Sequence, residues 1–239
     1  MRRVQYAGLS LSAEEALARS QEKSRTGPAG GFLPLTYQLP VALCFARVDA
    51  NYRLLEFEHA DSPHFRPRQI VQAFWNTLAE TDATLVSFNG RAFDVPVLEL
   101  AAFRYGIAAP GHFQRGGGKT RYRYGDAHID VRTLLTNHGA YWFDGGLEAC
   151  ARLLGKSGPT TMTGHDVLEQ HRQGHLDLIN ERCCLDVLDT YFAFVRSRLV
   201  IGCIDAKREQ QIGAEARAWI ENQSRERPYL CRYLESWVT

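Results

Sequence analysis

No stretch of this 239-residue sequence is apolar for long enough to cross a membrane. The basic start, Met1-Arg2-Arg3, is followed by no sustained apolar run, so no signal peptide is read there. Both absences point to a cytoplasmic protein with no membrane partner. A surplus of one charge is also missing: 28 basic residues face 27 acidic ones, for a net charge of +1. Binding to a polyanion must then come from a local patch. Six cysteines are present, yet none forms a Cys-x-x-Cys pair. Cys44, Cys150, Cys183, Cys184, Cys203 and Cys231 therefore read as buried, reduced thiols rather than a zinc site or a disulfide framework. Repeats and low-complexity segments are lacking as well. What the chain does have is a 45% hydrophobic and 11% aromatic composition, enough for a sizeable core.

Along the chain, Ser12-x-x-Glu15 forms a capping box that predicts a short helix to about Glu22. Residues 24–31 read as a Gly- and Pro-containing linker. The apolar run 41–48 predicts a central strand, and Asp49-Ala50-Asn51 turns it into a second strand over 52–58. After Pro67, the residues Ile70, Val71, Phe74, Trp75 and Leu78 share a helical face. A short strand is expected over 84–88, then a helix from Asp94 to Tyr105 with Pro96 in its first turn and Gly106 as its stop. A Gly-rich basic loop spans 111–125. His128-Ile129-Asp130 ends a short strand and leads into a helix through Leu135. Further helical stretches are expected at 147–154, near Gly164, over 175–199 and around 214–220, before an aromatic tail. The pattern is α/β, organised as a segment 1–31, a main domain 32–201 and a helical tail 202–239.

Ligands in α/β sheets collect at strand ends, and Asp94 lies just beyond one. Metal-assisted phosphodiester cleavage needs carboxylates around divalent ions, and Mg²⁺ or Mn²⁺ prefers such ligands. Asp94 is thus a candidate ligand, with a helix N-cap as the other reading. Asp186 is a second candidate, at the edge of an apolar face formed by Ile179, Cys183, Val187, Tyr191 and Phe194. Arg182 stands one turn before it, so a surface Arg–Asp pair is the alternative.

The run Phe88-Asn89-Gly90-Arg91-Ala92-Phe93-Asp94-Val95-Pro96 resembles the second exonuclease motif of the DEDD 3′–5′ exonucleases. It is most similar to a bacterial family of predicted 3′–5′ exonucleases related to the exonuclease domain of family B DNA polymerases. The stretches Phe32-Leu33-Pro34-Leu35, His128-Ile129-Asp130-Val131 and Leu147 to Gly155 agree in order. Cys183-Cys184-Leu185-Asp186-Val187-Leu188-Asp189-Thr190-Tyr191 resembles the family's third motif. The resemblance implies an RNase H-like mixed sheet flanked by helices, with Asp94 and Asp186 as two of four acidic ligands for a two-metal Mg²⁺ or Mn²⁺ site. It implies removal of nucleotides from single-stranded or frayed 3′ ends by in-line attack of a metal-activated water. DNA is expected ahead of RNA, and replication or repair proteins are the expected protein partners. By the same resemblance, Asp94, Asp186 and Arg182 fall at the catalytic positions.

Two departures stand out. The family's opening strand carries Asp-x-Glu, yet no acidic residue precedes Glu14 here. Glu56-x-Glu58 has the spacing but follows the first strand, and Leu55 and Phe57 alternating with it assign it to a solvent face. The expectation is that the first acidic strand is encoded upstream of Met1; the alternative is a degenerate, non-catalytic nucleic-acid-binding or interaction protein on the same fold. Secondly, the third motif of this subgroup has Tyr where Arg182 stands. Arg cannot give up its proton, so it is read as a phosphate clamp or as a partner of Asp186.

Smaller features complete the reading. Asn89 is a candidate for hydrogen-bonding the terminal nucleotide, and Phe93 for stacking on a base, with a core position as the other reading of Phe93. Arg115, Lys119 and Arg121, mixed with Tyr122 and Tyr124, suit a nucleic-acid strand; a solvated loop is the alternative. Gly116-Gly117-Gly118-Lys119-Thr120 is not a P-loop, because Phe113 stands where its first Gly belongs. Asp130 reads as a helix cap, and His128 beside it is weak evidence for a metal. Trp75, Trp142, Trp219 and Trp237 read as core or tail packing.

Overall fold

The computed structural model describes residues 10–25, 32–114, 120–122, 125–156, 162–164 and 166–238. The capping box forms as expected: the Ser12 amide donates to Glu15 Oε2 at 2.6 Å and the Glu15 amide to Ser12 Oγ at 3.1 Å. It opens helix α1, Ala13–Arg25. Most of the expected linker lies outside the described residues.

Strands β1 (Cys44–Val48) and β2 (Leu54–His59) make an antiparallel hairpin. Asp49 builds its turn: its side chain accepts the amides of Asn51 and Arg53, both at 2.8 Å. A register shift between Arg47 and Val48 turns Leu54 inward and leaves Leu55 57% exposed. The simple alternation read from the sequence is therefore broken at Leu55, because a bulge adds a residue to one strand of the pair. Glu56 and Glu58 are on the outer side, both paired with Arg47.

Helix α2 (Pro67–Glu80) packs on α3 (Asp94–Tyr105). Helix α3 ends at Gly106, whose φ of 65° is the left-handed conformation that closes a helix at low cost. Between them, β3 (Leu85–Ser87) pairs in parallel with β4 (His128–Asp130). The basic loop between α3 and β4 contains one helical turn, α4 (Pro110–Phe113), which the sequence reading missed. The short helices α5 (Val131–Leu135), α6 (Gly146–Leu153) and α7 (Val167–Arg172) follow.

The centre of the molecule is helix α8, Leu176–Val200. It packs against β1, β3, α5, α6 and α7, and against two C-terminal helices, α9 (Ala206–Gln223) and α10 (Pro228–Glu235). With neighbours on several sides, it has no single apolar stripe. Cys184 and Leu188 are fully buried, whereas Cys183 and Val187, assigned to the buried face from the sequence, are half-buried. Helix α9 begins well before the stretch read from the sequence, and the aromatic tail is itself helical. Ile212, Ile220, Leu230 and Tyr233 from these two helices join α8 in the main core. Each is at most 1% exposed, and burying one aliphatic side chain of this size stabilises by about 2 kcal/mol.

Three tryptophans pack as expected. Trp75 is buried, Trp219 stacks on Phe57, and Trp237 meets Phe192 edge-on. Trp142 does not: it is 74% exposed, with the Arg132 guanidinium 5.0 Å from its ring centre. The expected mixed sheet is present as two short ladders, β2-β1 and β3-β4, and among the described residues no ladder bond joins β1 to β3. Yet the strands that touch α8 are β1 and β3. Both strands therefore lie against the same helix, and each has a side without a ladder partner among the described residues.

Candidate functional site

The loop after β3 is held by one side chain. Asp130, at the end of β4, is 5% exposed and accepts four backbone amides. Two belong to Arg132 and Thr133, at 3.1 and 3.3 Å, which makes Asp130 the N-cap of α5. The other two, both at 2.9 Å, belong to Asn89 and Arg91 in the neighbouring loop. The cap reading is correct, but it captures half of the role: Asp130 also fixes the turn that presents Asp94. That turn is tight. Asn89 has a φ of 64°, and a Cβ on Gly90 would sit 2.4 Å from Ser87 Oγ. Ser87 Oγ is in turn 2.7 Å from His128 Nε2. Burial pushes the His128 pKa down to about 4, helped by the Arg91 charge, so the ring is neutral at pH 7. The Arg91 side chain bridges the loop to the carbonyl of His128, at 2.5 Å.

Asp94 is the first residue of α3, and the N-cap is Phe93, with no side-chain cap bond. The cap explanation for Asp94 thus fails. Its carboxylate sits at the positive end of the α3 dipole, where a negative charge is favoured. The side chain reaches solvent, but the protein crowds it. Poor hydration first, then the negative charges of Asp186 and Asp130, push its pKa up to about 6. Asp186 on α8 is therefore an electrostatic neighbour of Asp94, although the two come from distant parts of the chain.

Asp186 is engaged by Arg182 one turn earlier, Nη2 to Oδ1 at 2.6 Å and Nε to Oδ2 at 3.2 Å. Desolvation raises the Asp186 pKa and the Arg182 guanidinium opposes the rise; Glu148 on α6 adds to it. Glu148 was not singled out in the sequence, and nothing in its local pattern marks it. Arg182 holds both Asp186 oxygens in a fork, the geometry that makes Arg–carboxylate pairs strong.

The nucleic-acid candidates fare unevenly. Asn89 is beside the site, but its side-chain oxygen accepts from Arg132 Nη1 at 2.9 Å. Phe93 is 38% exposed rather than in the core, which leaves its ring accessible. Arg121 pairs with Glu99 at 3.0 Å and lies over the Phe113 ring. Glu99 also binds His112 at 2.7 Å, so this corner is a connected polar network. Arg115, Lys119 and Tyr124 lie outside the described residues.

The donor set near Asp94 suits a hard divalent cation. Two carboxylates could offer oxygen ligands to one such ion, which would keep several waters of its own. A second ion needs further acids. Among the described residues, no three acidic side chains converge on one point; the three-residue group that does is Cys44, His59 and Cys184.

One substitution at this site tests the electrostatics. Arg182→Gln removes a cation and frees both Asp186 oxygens, so Mn²⁺ affinity should rise several-fold in a calorimetric titration. Weaker binding would mean that Arg182 orders Asp186 for the ion. Another test lies behind the site. Asp189 is 4% exposed and accepts a 2.8 Å hydrogen bond from the Tyr233 hydroxyl. Burial raises its pKa to about 7, with Asp186 and Glu148 adding to the rise and Tyr233 and Arg182 opposing it. In the unfolded chain Asp189 loses its proton near pH 4, but in the folded protein near 7. Its contribution to stability is full at low pH and is lost as the pH climbs through that window. Asp189→Asn keeps an acceptor for Tyr233 and removes the charge. It should therefore stabilise the protein at pH 8 by on the order of 2 kcal/mol and change little at pH 4. Equal melting shifts at both pH values would contradict this.

Residues 30–237 match the family described as a predicted 3′–5′ exonuclease related to the exonuclease domain of PolB. No curated protein and no solved structure matches the chain. No helix among the described residues is long and apolar enough to cross a membrane.

Proposed function

From the premise that the chain belongs to this family of predicted 3′–5′ exonucleases related to the exonuclease domain of PolB, we propose that it carries an exonuclease site centred on Asp94 and Asp186. The reaction is removal of nucleotides from a single-stranded or frayed 3′ end, with DNA preferred to RNA. What supports the reading is that each motif supplies one carboxylate and that the Asp186 charge helps raise the Asp94 pKa.

Asp94 and Asp186 would hold a Mg²⁺ or Mn²⁺ ion. When bound, such an ion supplies an activated water and stabilises charge on the leaving oxygen. The chain's own residues do the positioning. Asp130 and Gly90 fix the turn before Asp94, helix α8 fixes Asp186, and the exposed Phe93 ring offers a face for the terminal base. Arg182 offers a cation for the phosphate if it exchanges Asp186 for substrate.

The remaining acids are proposed to come from a strand between β1 and β3. Support for this comes from the sheet. Each of these strands has a side without a ladder partner among the described residues, and both touch α8; a strand laid against such a side would satisfy that edge. A strand in that slot places alternate side chains on one face.

The experiment is an assay of 5′-labelled single-stranded DNA with Mn²⁺, run on the 239-residue chain and on a version extended upstream in frame. A ladder shortening from the 3′ end in the extended protein is the expected outcome. A second reading, a non-catalytic nucleic-acid-binding protein, is favoured by the Arg182 fork on Asp186. Metal-independent binding of single strands, with no ladder from either version, would establish it instead.

A further inference from the structure

Cys44 opens β1, His59 closes β2, and the hairpin register places them directly opposite each other. Cys184 arrives from α8, which lies across the hairpin. The Cys44 and Cys184 sulfurs are 3.1 Å apart, and Cys184 Sγ is 3.3 Å from His59 Nε2. All three ligand atoms lie within 4.8 Å of one another. The two cysteines are buried and His59 is half-buried, which leaves an approach from solvent on the imidazole side. The Tyr229 hydroxyl, from α10, is a further polar neighbour of the Cys184 sulfur. Three segments of the chain thus bring two thiols and an imidazole to one point, away from any role in the exonuclease reading.

We propose that Cys44, His59 and Cys184 bind a Zn²⁺ ion that ties the β1–β2 hairpin to α8. Two thiolates and one imidazole are a donor set that zinc takes readily, while Mg²⁺ and Mn²⁺ prefer oxygen ligands. The spacing is close to what a tetrahedral ion needs. With Zn–S near 2.3 Å and Zn–N near 2.0 Å, the sulfurs stand about 3.8 Å apart and each sulfur about 3.6 Å from the nitrogen. Reaching that geometry requires the sulfurs to part by about 0.7 Å and the Cys184–His59 pair by about 0.3 Å, while Cys44 and His59, within 4.8 Å of each other, settle at a similar spacing. Water or the Tyr229 hydroxyl takes the fourth position. Binding releases the thiol protons and adds its free energy to folding. The clamp lies half a turn of α8 before Asp186, so it holds the helix that carries that carboxylate. Its role is structural, and it stands whether or not the chain cleaves nucleic acid.

The test uses the 239-residue chain, purified with reductant and reconstituted with zinc alone. Elemental analysis after gel filtration should give one zinc per chain, and cobalt in its place should give a thiolate-to-metal charge-transfer band. Cys44→Ser and Cys184→Ser should each weaken binding by more than the roughly 100-fold that loss of an outer-shell partner costs. Cys183→Ser and Cys203→Ser should keep it. The cobalt band of the unaltered chain needs no variant to fold, so it decides the matter alone if the serine variants are unstable. The proposal is overturned if the reduced, folded chain takes up no stoichiometric zinc and shows no such band. It is equally overturned if the Cys44→Ser/Cys184→Ser double variant keeps the band. A Cys44–Cys184 disulfide in protein made without reductant, with no metal uptake after reduction, would also overturn it.

Discussion

Replacing Asp130 with Ala should lower the melting temperature by roughly 10 °C. The side chain is nearly inaccessible and accepts the amides of Asn89, Arg91, Arg132 and Thr133. An alanine leaves four N–H groups in a region that water enters poorly. Losing the cap of α5 alone costs about 1 kcal/mol. Each further amide left unpaired adds about 1–3 kcal/mol where no water replaces the carboxylate. A total of roughly 3–5 kcal/mol follows, and in a chain of this size each kcal/mol is worth about 2–4 °C. Asp130→Asn makes the estimate specific. Three of the four amides bond Oδ1 and only that of Arg91 bonds Oδ2. An amide oxygen can keep the first three, while its NH₂ faces the Arg91 donor. The loss should then be intermediate. Differential scanning calorimetry reads both variants. A shift below about 2 °C for the alanine would mean that water substitutes for the carboxylate and that the turn does not depend on it.

Asp94→Ala and Asp186→Ala should each abolish exonuclease activity in the extended protein, by at least about 1000-fold. Neither should unfold it. Asp94 makes no cap bond that the helix needs, and its charge lies close to those of Asp186 and Asp130. Removing one of three like charges relieves repulsion, so without metal Asp94→Ala should melt no lower than the parent at pH 8. Loss of activity with stability intact separates a functional carboxylate from a structural one. Asp130→Ala should lose both. Activity that survives both substitutions at Asp94 and Asp186 would show that the site lies elsewhere.

The contrast between these two aspartates explains what the sequence could reveal. Asp94 and Asp130 each stand at the entrance to a helix, where an aspartate reads naturally as a cap. The deciding fact is a tertiary one. Parallel pairing of Ser87 with Asp130 sets the Asp130 carboxylate against the 89–91 turn, and no spacing along the chain encodes that. Helix limits were legible where local chemistry set them: Ser12 with Glu15 opens α1, and Gly106 closes α3. Helix α9 was underestimated because its first turns are polar. Even so, Asp205 caps it through the Arg208 amide, a signal that was available. Helix α10 hid behind an aromatic composition, although Pro228 occupies a favoured first-turn position.

The cysteines show the same limit more sharply. Reading them one by one gave buried, reduced thiols, and Cys44, Cys150 and Cys184 are buried while Cys203 and Cys231 are exposed. Without a Cys-x-x-Cys spacing, nothing local links Cys44 to Cys184. Their approach is a product of hairpin register and of the way α8 crosses it. The half-turn from Cys184 to Asp186 then places a thiol cluster and a carboxylate on one helix, with donor chemistries suited to different metals.

That difference allows a direct test of whether Asp94 and Asp186 share a cation. Mn²⁺ binding to the 239-residue chain, followed by electron paramagnetic resonance at about pH 7.5, above the value near 6 to which the Asp94 pKa is raised, reports the oxygen site without interference from the thiols. The account predicts one Mn²⁺ that Mg²⁺ displaces, lost in Asp94→Ala and in Asp186→Ala and retained in Cys184→Ser. Binding that persists undiminished in the Asp94→Ala/Asp186→Ala double variant would contradict it.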